Sequence, residues 1–226
     1  MMLAGIDGCR EGWIAATLDG RNHTSVERHS SFDQALDGGY EVIVVDIPIG
    51  LPERGPRTCD LLARQLLGPP RASSVFPAPI RPMLAASSWK HACEIRRSIE
   101  NKACSKQLAN LLPKIKEVDA LMSERLQSSV RECHPELAFA TMNGGVPMRA
   151  RKHSVDGRAE RQALVSRHFG DAPGVIDQLV PRRLLTDALD AYACLFVARR
   201  VQLGTALILP RSPELDGRGL RAEIVT

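Results

Sequence analysis

The chain alternates short apolar runs with longer stretches of helical period. Leu3 to Asp7 is an apolar run closing on an aspartate, and it predicts a buried strand. The turn-rich link Gly8-Cys9-Arg10-Glu11-Gly12 and the run Trp13 to Leu18 predict a second strand and a hairpin. Thr24 to Arg28 reads as a third strand. Ser31 and Gln34 have capping-box spacing, so a short helix is expected over Phe32 to Leu36. Glu41 to Asp46 is continuous and β-branched, the pattern of a strand covered on both faces, and it too ends in an aspartate.

Ile47 to Pro52 reads as a rigid turn. Pro56 suits the first turn of a helix running to Leu67, and Gly68-Pro69-Pro70 stops it. Val75 to Pro82 holds three prolines and is expected to be an extended loop. From Ser88 to Gln127 the period is helical, with Leu108, Leu111, Leu112, Ile115 and Val118 as the stripe and a kink expected at Pro113. This stretch, about 83–128, reads as a helical insertion between core elements. Val130 to His134 predicts a strand, with a short helix from Pro135. Gly144, Gly145 and the basic run Arg149 to His153 read as a mobile loop. Residues 158–169 predict a charged helix, Thr186 to Leu203 a buried one, and Ala206 to Leu209 with Leu220 to Val225 two edge strands. The order gives an α/β fold, a mixed sheet with helices on both faces, as a single domain over 1–226.

Composition adds bounds. The 226 residues carry a net charge of +4, which permits a nucleic-acid partner without requiring one. Aromatic residues are only 4%, which argues against a base-stacking platform. None of the six cysteines forms a Cys-x-x-Cys pair, so a zinc knuckle is not expected. With no leader pattern before the first strand and no apolar stretch near the ~18 residues that span a bilayer, the expectation is a reduced, cytoplasmic protein with free thiols and no membrane partner. The oligomeric state is left open.

The candidate chemistry is acidic. In open α/β sheets ligands sit outside the carboxyl ends of strands, where Asp7 and Asp46 fall. Asp187 and Asp190 are three apart on a helix and share a face near its start. A strand-terminal aspartate is often only a turn former, and Asp187 suits a helix start, but capping does not explain Asp190 in an apolar helix. Gathered together, the four would hold Mg²⁺ or Mn²⁺ through hard oxygens and serve phosphodiester hydrolysis. Glu132, His134 and Glu136 form a second cluster: His134 would orient a water or a phosphate and Glu136 would add a ligand, unless the histidine is simply paired in the core. Arg57, Asp60 and Arg64 share a helix face, as a surface ion-pair row or, with Arg10, Arg81 and Lys114, as phosphate holders. The run Arg149 to His153 is either a solvated loop or a clamp on a nucleic-acid backbone.

These residues resemble the domain-of-unknown-function 429 family, whose members are predicted RNase H-like nucleases. The stretches that carry the resemblance are Gly5 to Trp13, Val45 to Pro52, Arg57-x-Cys-Asp60 with Ala63-Arg64, and Ser74 to Phe76. They continue with Ser105 to Gln107, Pro113 to Asp119, His134-Pro-Glu136 and Asp187 to Ala191. The resemblance implies an RNase H-like fold, with Asp7 on the first strand, Asp46 on the central strand and Asp187 with Asp190 on the closing helix. This is similar to the arrangement in Holliday-junction resolvases. The last block departs from the acidic pair expected of the family, because Thr186 precedes Asp187.

Three readings follow. The first is a metal-dependent nuclease acting on RNA, DNA, a hybrid, a junction or a small nucleotide. The second is an ATP-binding phosphotransfer relative, since sugar kinases and actin-like ATPases also open on a strand, Asp-Gly and a hairpin; against it, no second copy of the pattern is present. The third is a non-catalytic module that binds nucleic acid or protein on the same fold.

Overall fold

The computed structural model describes residues 2–226. Five strands form a mixed sheet in the order β3-β2-β1-β4-β5. They are β1 (Leu3–Cys9), β2 (Gly12–Leu18), β3 (Thr24–His29), β4 (Val42–Val45) and β5 (Val130–Glu132). β1, β2 and β3 run antiparallel in sequence, while β4 is parallel to β1 and β5 is parallel to β4. Eight α-helices are described: α1 (Phe32–Leu36), α2 (Thr58–Leu67), α3 (Trp89–Glu100), α4 (Lys106–Leu121), α5 (Pro135–Met142), α6 (Val155–His168), α7 (Ala172–Leu179) and α8 (Leu185–Gln202).

The sheet is covered on both faces because its strands are apolar on both. Leu3, Ile14, Ala16 and Val44 enter a core with α5, α6, α7 and α8, while Ala4, Ile6, Ala15 and Val45 enter another with α1, α3 and α4. Side chains alternate across a strand, so Asp7 stands on the face of Leu3 and Gly5, and Asp46 on the face of Val44. Both therefore belong to the α8 side.

Gly5 sets how close α8 comes. A Cβ there would lie 2.2 Å from the Ala191 carbonyl oxygen and 2.0 Å from the Leu195 nitrogen, so the helix backbone rests directly on β1. From that crossing, Asp7 lies two residues on along β1, about 7 Å. Asp187 lies four residues back along α8, about 6 Å. Strand end and helix start arrive at the same level.

Three elements differ from those the sequence predicts. The helical stretch expected from Ser88 to Gln127 is two helices, because Asn101 adopts the left-handed conformation (φ 55°) that ends α3. Pro113 lies within α4, which continues through it. The C-terminal strands, β6 (Ile208–Leu215) and β7 (Arg221–Val225), pair only with each other and are not edges of the main sheet. Their ribbon lies beside β5, where Arg131 reaches Glu223 at 2.5 Å. Helix α7 was not anticipated: it is eight residues long and contains Pro173 and Gly174, which read as breakers.

Candidate acidic centre

Three separate elements bring aspartates to one edge. Asp7 is near the end of β1, Asp46 follows β4, and Asp187 and Asp190 open α8. Asp7 and Asp190 are buried, and Asp46 and Asp187 are partly so. Asp7 Oδ1 accepts the amide of Gly8 at 2.8 Å.

The carboxylates feel one another. Burial pushes the Asp7 carboxyl well above the usual range, and the charges of Asp46 and Asp190 push it further. Burial and then Asp190 raise Asp46 to about 7, with a contribution from Glu136. Asp187 is raised by burial and by Asp190.

A cation sits among them. Lys152 Nζ donates to Asp190 Oδ2 at 2.9 Å. Burial works against its charge, but Asp190, Asp7 and Asp46 together hold its ammonium above the ordinary lysine range. Its side chain keeps 39% of its exposure while that of Asp190 keeps 3%. Among the described residues no three His, Cys, Asp or Glu side chains are grouped closely enough, as placed, to hold one metal ion. The donor chemistry suits a hard divalent ion.

The second predicted cluster is divided. Glu132 faces Arg57, whereas His134 and Glu136 lie toward the acidic centre. Burial lowers the His134 imidazole pKa, against the opposing charges of Glu136 and Asp190. Its Nε2 lies 3.2 Å from the Ser74 carbonyl oxygen, and its Nδ1 is buried without a partner. Glu136 accepts from Arg161 on one oxygen, and its Oε2 is likewise buried and unpartnered.

The predicted phosphate holders do not gather at the centre. Arg57 is buried and directs five hydrogen bonds inward: to Asp60 at 2.5 and 3.3 Å, to Glu132 at 2.6 and 2.7 Å, and to the Ile49 carbonyl at 2.9 Å. This fastens the turn after β4 to β5 and α2. Arg64 donates to the Val75 carbonyl at 2.9 Å. Arg81 is paired with Asp119 and Asp216. Arg10 is exposed in the hairpin turn. Lys114 comes nearest: its ammonium lies over the Trp13 ring at 4.4 Å, donates to the Gly12 carbonyl and is felt by Asp187.

Arg149 to His153 is one basic run in the sequence, but the fold divides its labour, which nothing local in the sequence signals. Lys152 turns in to Asp190, and His153 lines a cleft of about 530 Å³ with Arg158, Gln162, Arg182, Arg183 and Thr186. No carboxylate lines that cleft. Thr186 and His153 adjoin Asp187 and Lys152 in sequence, so the basic cleft opens beside the acidic centre.

All six cysteines are buried and unbridged. No helix among the described residues is long and apolar enough to cross a membrane. The family model described as Protein of unknown function (DUF429) matches residues 5–215. No curated protein and no solved structure matches the chain.

Proposed function

The chain belongs to the DUF429 family, whose matched region contains every residue of the acidic centre, and from that premise we propose a divalent-metal-dependent nuclease on an RNase H-like fold. The observation that carries the reading is the meeting of Asp7, Asp46 and Asp190 from a first strand, its parallel neighbour and a late helix, close enough that Asp190 raises the pKa of both Asp7 and Asp46. Structural carboxylates are usually paired off one by one, as Asp60 and Glu132 are with Arg57. These instead crowd together at the carboxyl end of a sheet, where ligands bind.

Asp7, Asp46 and Asp190 would hold the ion once their side chains close on it in place of the Lys152 ammonium, with Asp187 at the rim. Mg²⁺ or Mn²⁺ supplies Lewis acidity at a phosphoryl oxygen and a water that ionises near neutral pH. The chain's own part is positional. Asp187 directly follows Thr186, which lines the basic cleft, and that cleft would draw a phosphodiester backbone against the site. Lys114 would face the substrate from the hairpin side. His134 and Glu136 have unpartnered buried atoms that would order water.

The test is cleavage of labelled RNA, DNA and hybrid substrates with Mg²⁺ or Mn²⁺. Cleavage should vanish with EDTA and in Asp7→Asn and Asp46→Asn while the fold persists by circular dichroism. Undiminished cleavage by both variants would remove the proposal. The Lys152–Asp190 pair favours a second reading, a nucleic-acid-binding module without turnover, because it already neutralises part of the centre. Salt-sensitive binding with no cleavage under either ion would select it.

A further inference from the structure

Residues 143–154 have no regular secondary structure, yet the backbone around Lys152 is held on both sides. Arg71 donates to the carbonyls of Met148 at 2.7 Å and Arg149 at 2.6 Å. Glu160 accepts the amides of Arg149 at 3.1 Å and Ala150 at 3.2 Å. Ser154 Oγ returns to the Arg151 carbonyl at 2.8 Å. Gly157, in the first turn of α6, lies directly against the same carbonyl: a Cβ there would stand 1.9 Å from the oxygen. Arg161 spans the arrangement, donating to the Gly157 carbonyl at 2.9 Å and to Glu136 beside the centre. The loop is fastened so that the Lys152 ammonium is delivered to Asp190.

We propose that Lys152 is the resident cation of the acidic centre and that a divalent ion enters by displacing it. The inference rests on the metal-dependent reading above and adds how the site behaves without its ion. An ammonium 2.9 Å from Asp190 occupies an oxygen that an ion would need and repels a second positive charge. It also explains how the chain tolerates several crowded carboxylates with no ion present, since an uncompensated buried charge is costly. The lysine stem is long and flexible, so the head group can leave without unfolding the loop. The basic cleft begins at the next residue, His153, so the displaced ammonium is left where a substrate phosphate would arrive.

Three measurements on the full chain test this. Mn²⁺ titration calorimetry should show Lys152→Met binding the ion about tenfold more tightly than the native protein, with Lys152→Arg unchanged because it keeps the charge. In EDTA, Lys152→Met should melt lower than native, and Mn²⁺ should restore it. On the native protein, amine-directed labelling read by mass spectrometry should be slow at Lys152 and should quicken when Mn²⁺ binds. Equal or weaker Mn²⁺ binding by Lys152→Met overturns the displacement and leaves the metal-dependent reading standing. If Lys152→Met does not fold, the labelling decides: unchanged reactivity at Lys152 with Mn²⁺ bound overturns the proposal. Absence of Mn²⁺ binding by both native and variant proteins removes the metal reading as well.

Discussion

The amide of Asp46 donates to the carbonyl of Ile6 at 3.0 Å, carrying the β1–β4 pairing one bond beyond Ile6 and Val45. That bond holds Asp46 level with Asp7, on strands whose axes are about 5 Å apart. Two carboxylates so placed, one buried and the other partly so, do not ionise independently.

A pH dependence follows. Burial, then Asp190, raises the Asp46 carboxyl to about 7. The folded state therefore binds this proton more tightly than the unfolded chain. Stability should fall as pH rises from the ordinary aspartate value to about 7, and level off above it. Urea unfolding in EDTA should show a loss on the order of 1–3 kcal/mol between pH 5 and pH 8. Asp46→Asn cannot ionise and should lose clearly less. Parallel pH profiles for the two proteins would show that Asp46 is not the group responsible.

Gly5 tests whether packing sets the site. An added Cβ would collide with the backbone of Ala191 and Leu195, atoms with no rotamer to change. Gly5→Ala should force α8 away from β1 and cost about 3 kcal/mol or more, at the upper end for overpacking. Gly170, with nothing within 4 Å of an added Cβ, is the control, and Gly170→Ala should be close to neutral. A Gly5→Ala protein as stable as native would mean that the sheet and α8 are less closely apposed.

Arg57 distinguishes a structural pair from a phosphate holder. Its guanidinium joins Asp60 and Glu132 in a buried set. Arg57→Ala leaves two buried carboxylates without their partner and should cost about 3–5 kcal/mol. Arg57→Lys should rescue little of it, because an ammonium cannot copy the planar fork. Thermal melts decide the matter. Weakened substrate binding with an unchanged melting temperature would return Arg57 to the phosphate-binding role.

Much of this was legible in the sequence because short-range patterns carried it. The apolar runs located β1, β2 and β4, the capping spacing located α1 with its Ser31–Gln34 bond, and the helical period located α8. The strand-terminal and helix-opening aspartates could be named as a set because each sits at the end of a recognisable element. What was lost depends on long-range geometry. Arg57 and Arg64 share a helix face with Asp60, but nothing local says that Glu132, distant in sequence, takes up the Arg57 fork. Lys152 looked like one charge in a basic run. Its direction comes from the anchoring of its loop by Arg71 and Glu160, contacts made across the fold. The β6–β7 strands were recognisable as strands, but pairing with each other rather than with β5 is a tertiary choice.

The basic cleft makes the last prediction, and it separates attraction by net charge from binding in a defined place. Arg158, Arg182 and His153 line it together, and Arg183 at its edge is tied to Glu11 at 2.9 and 3.1 Å. A net charge of +4 spread over the surface would attract any polyanion weakly. A cleft that seats phosphates would instead release counterions at particular residues. Removing one such residue should make the salt dependence of single-strand binding shallower by about 0.7 in the log–log slope. Arg182→Ala is the informative change, and Arg211→Ala, on the exposed side of β6, is the matched control. Both lower the net charge equally. Fluorescence anisotropy with a labelled oligonucleotide in EDTA, where cleavage is not expected, reports the slopes. A reduced slope for Arg182→Ala alone places the backbone in the cleft beside Asp187. Equal slopes for both variants would mean that the strand, if bound, approaches the acidic centre from another side.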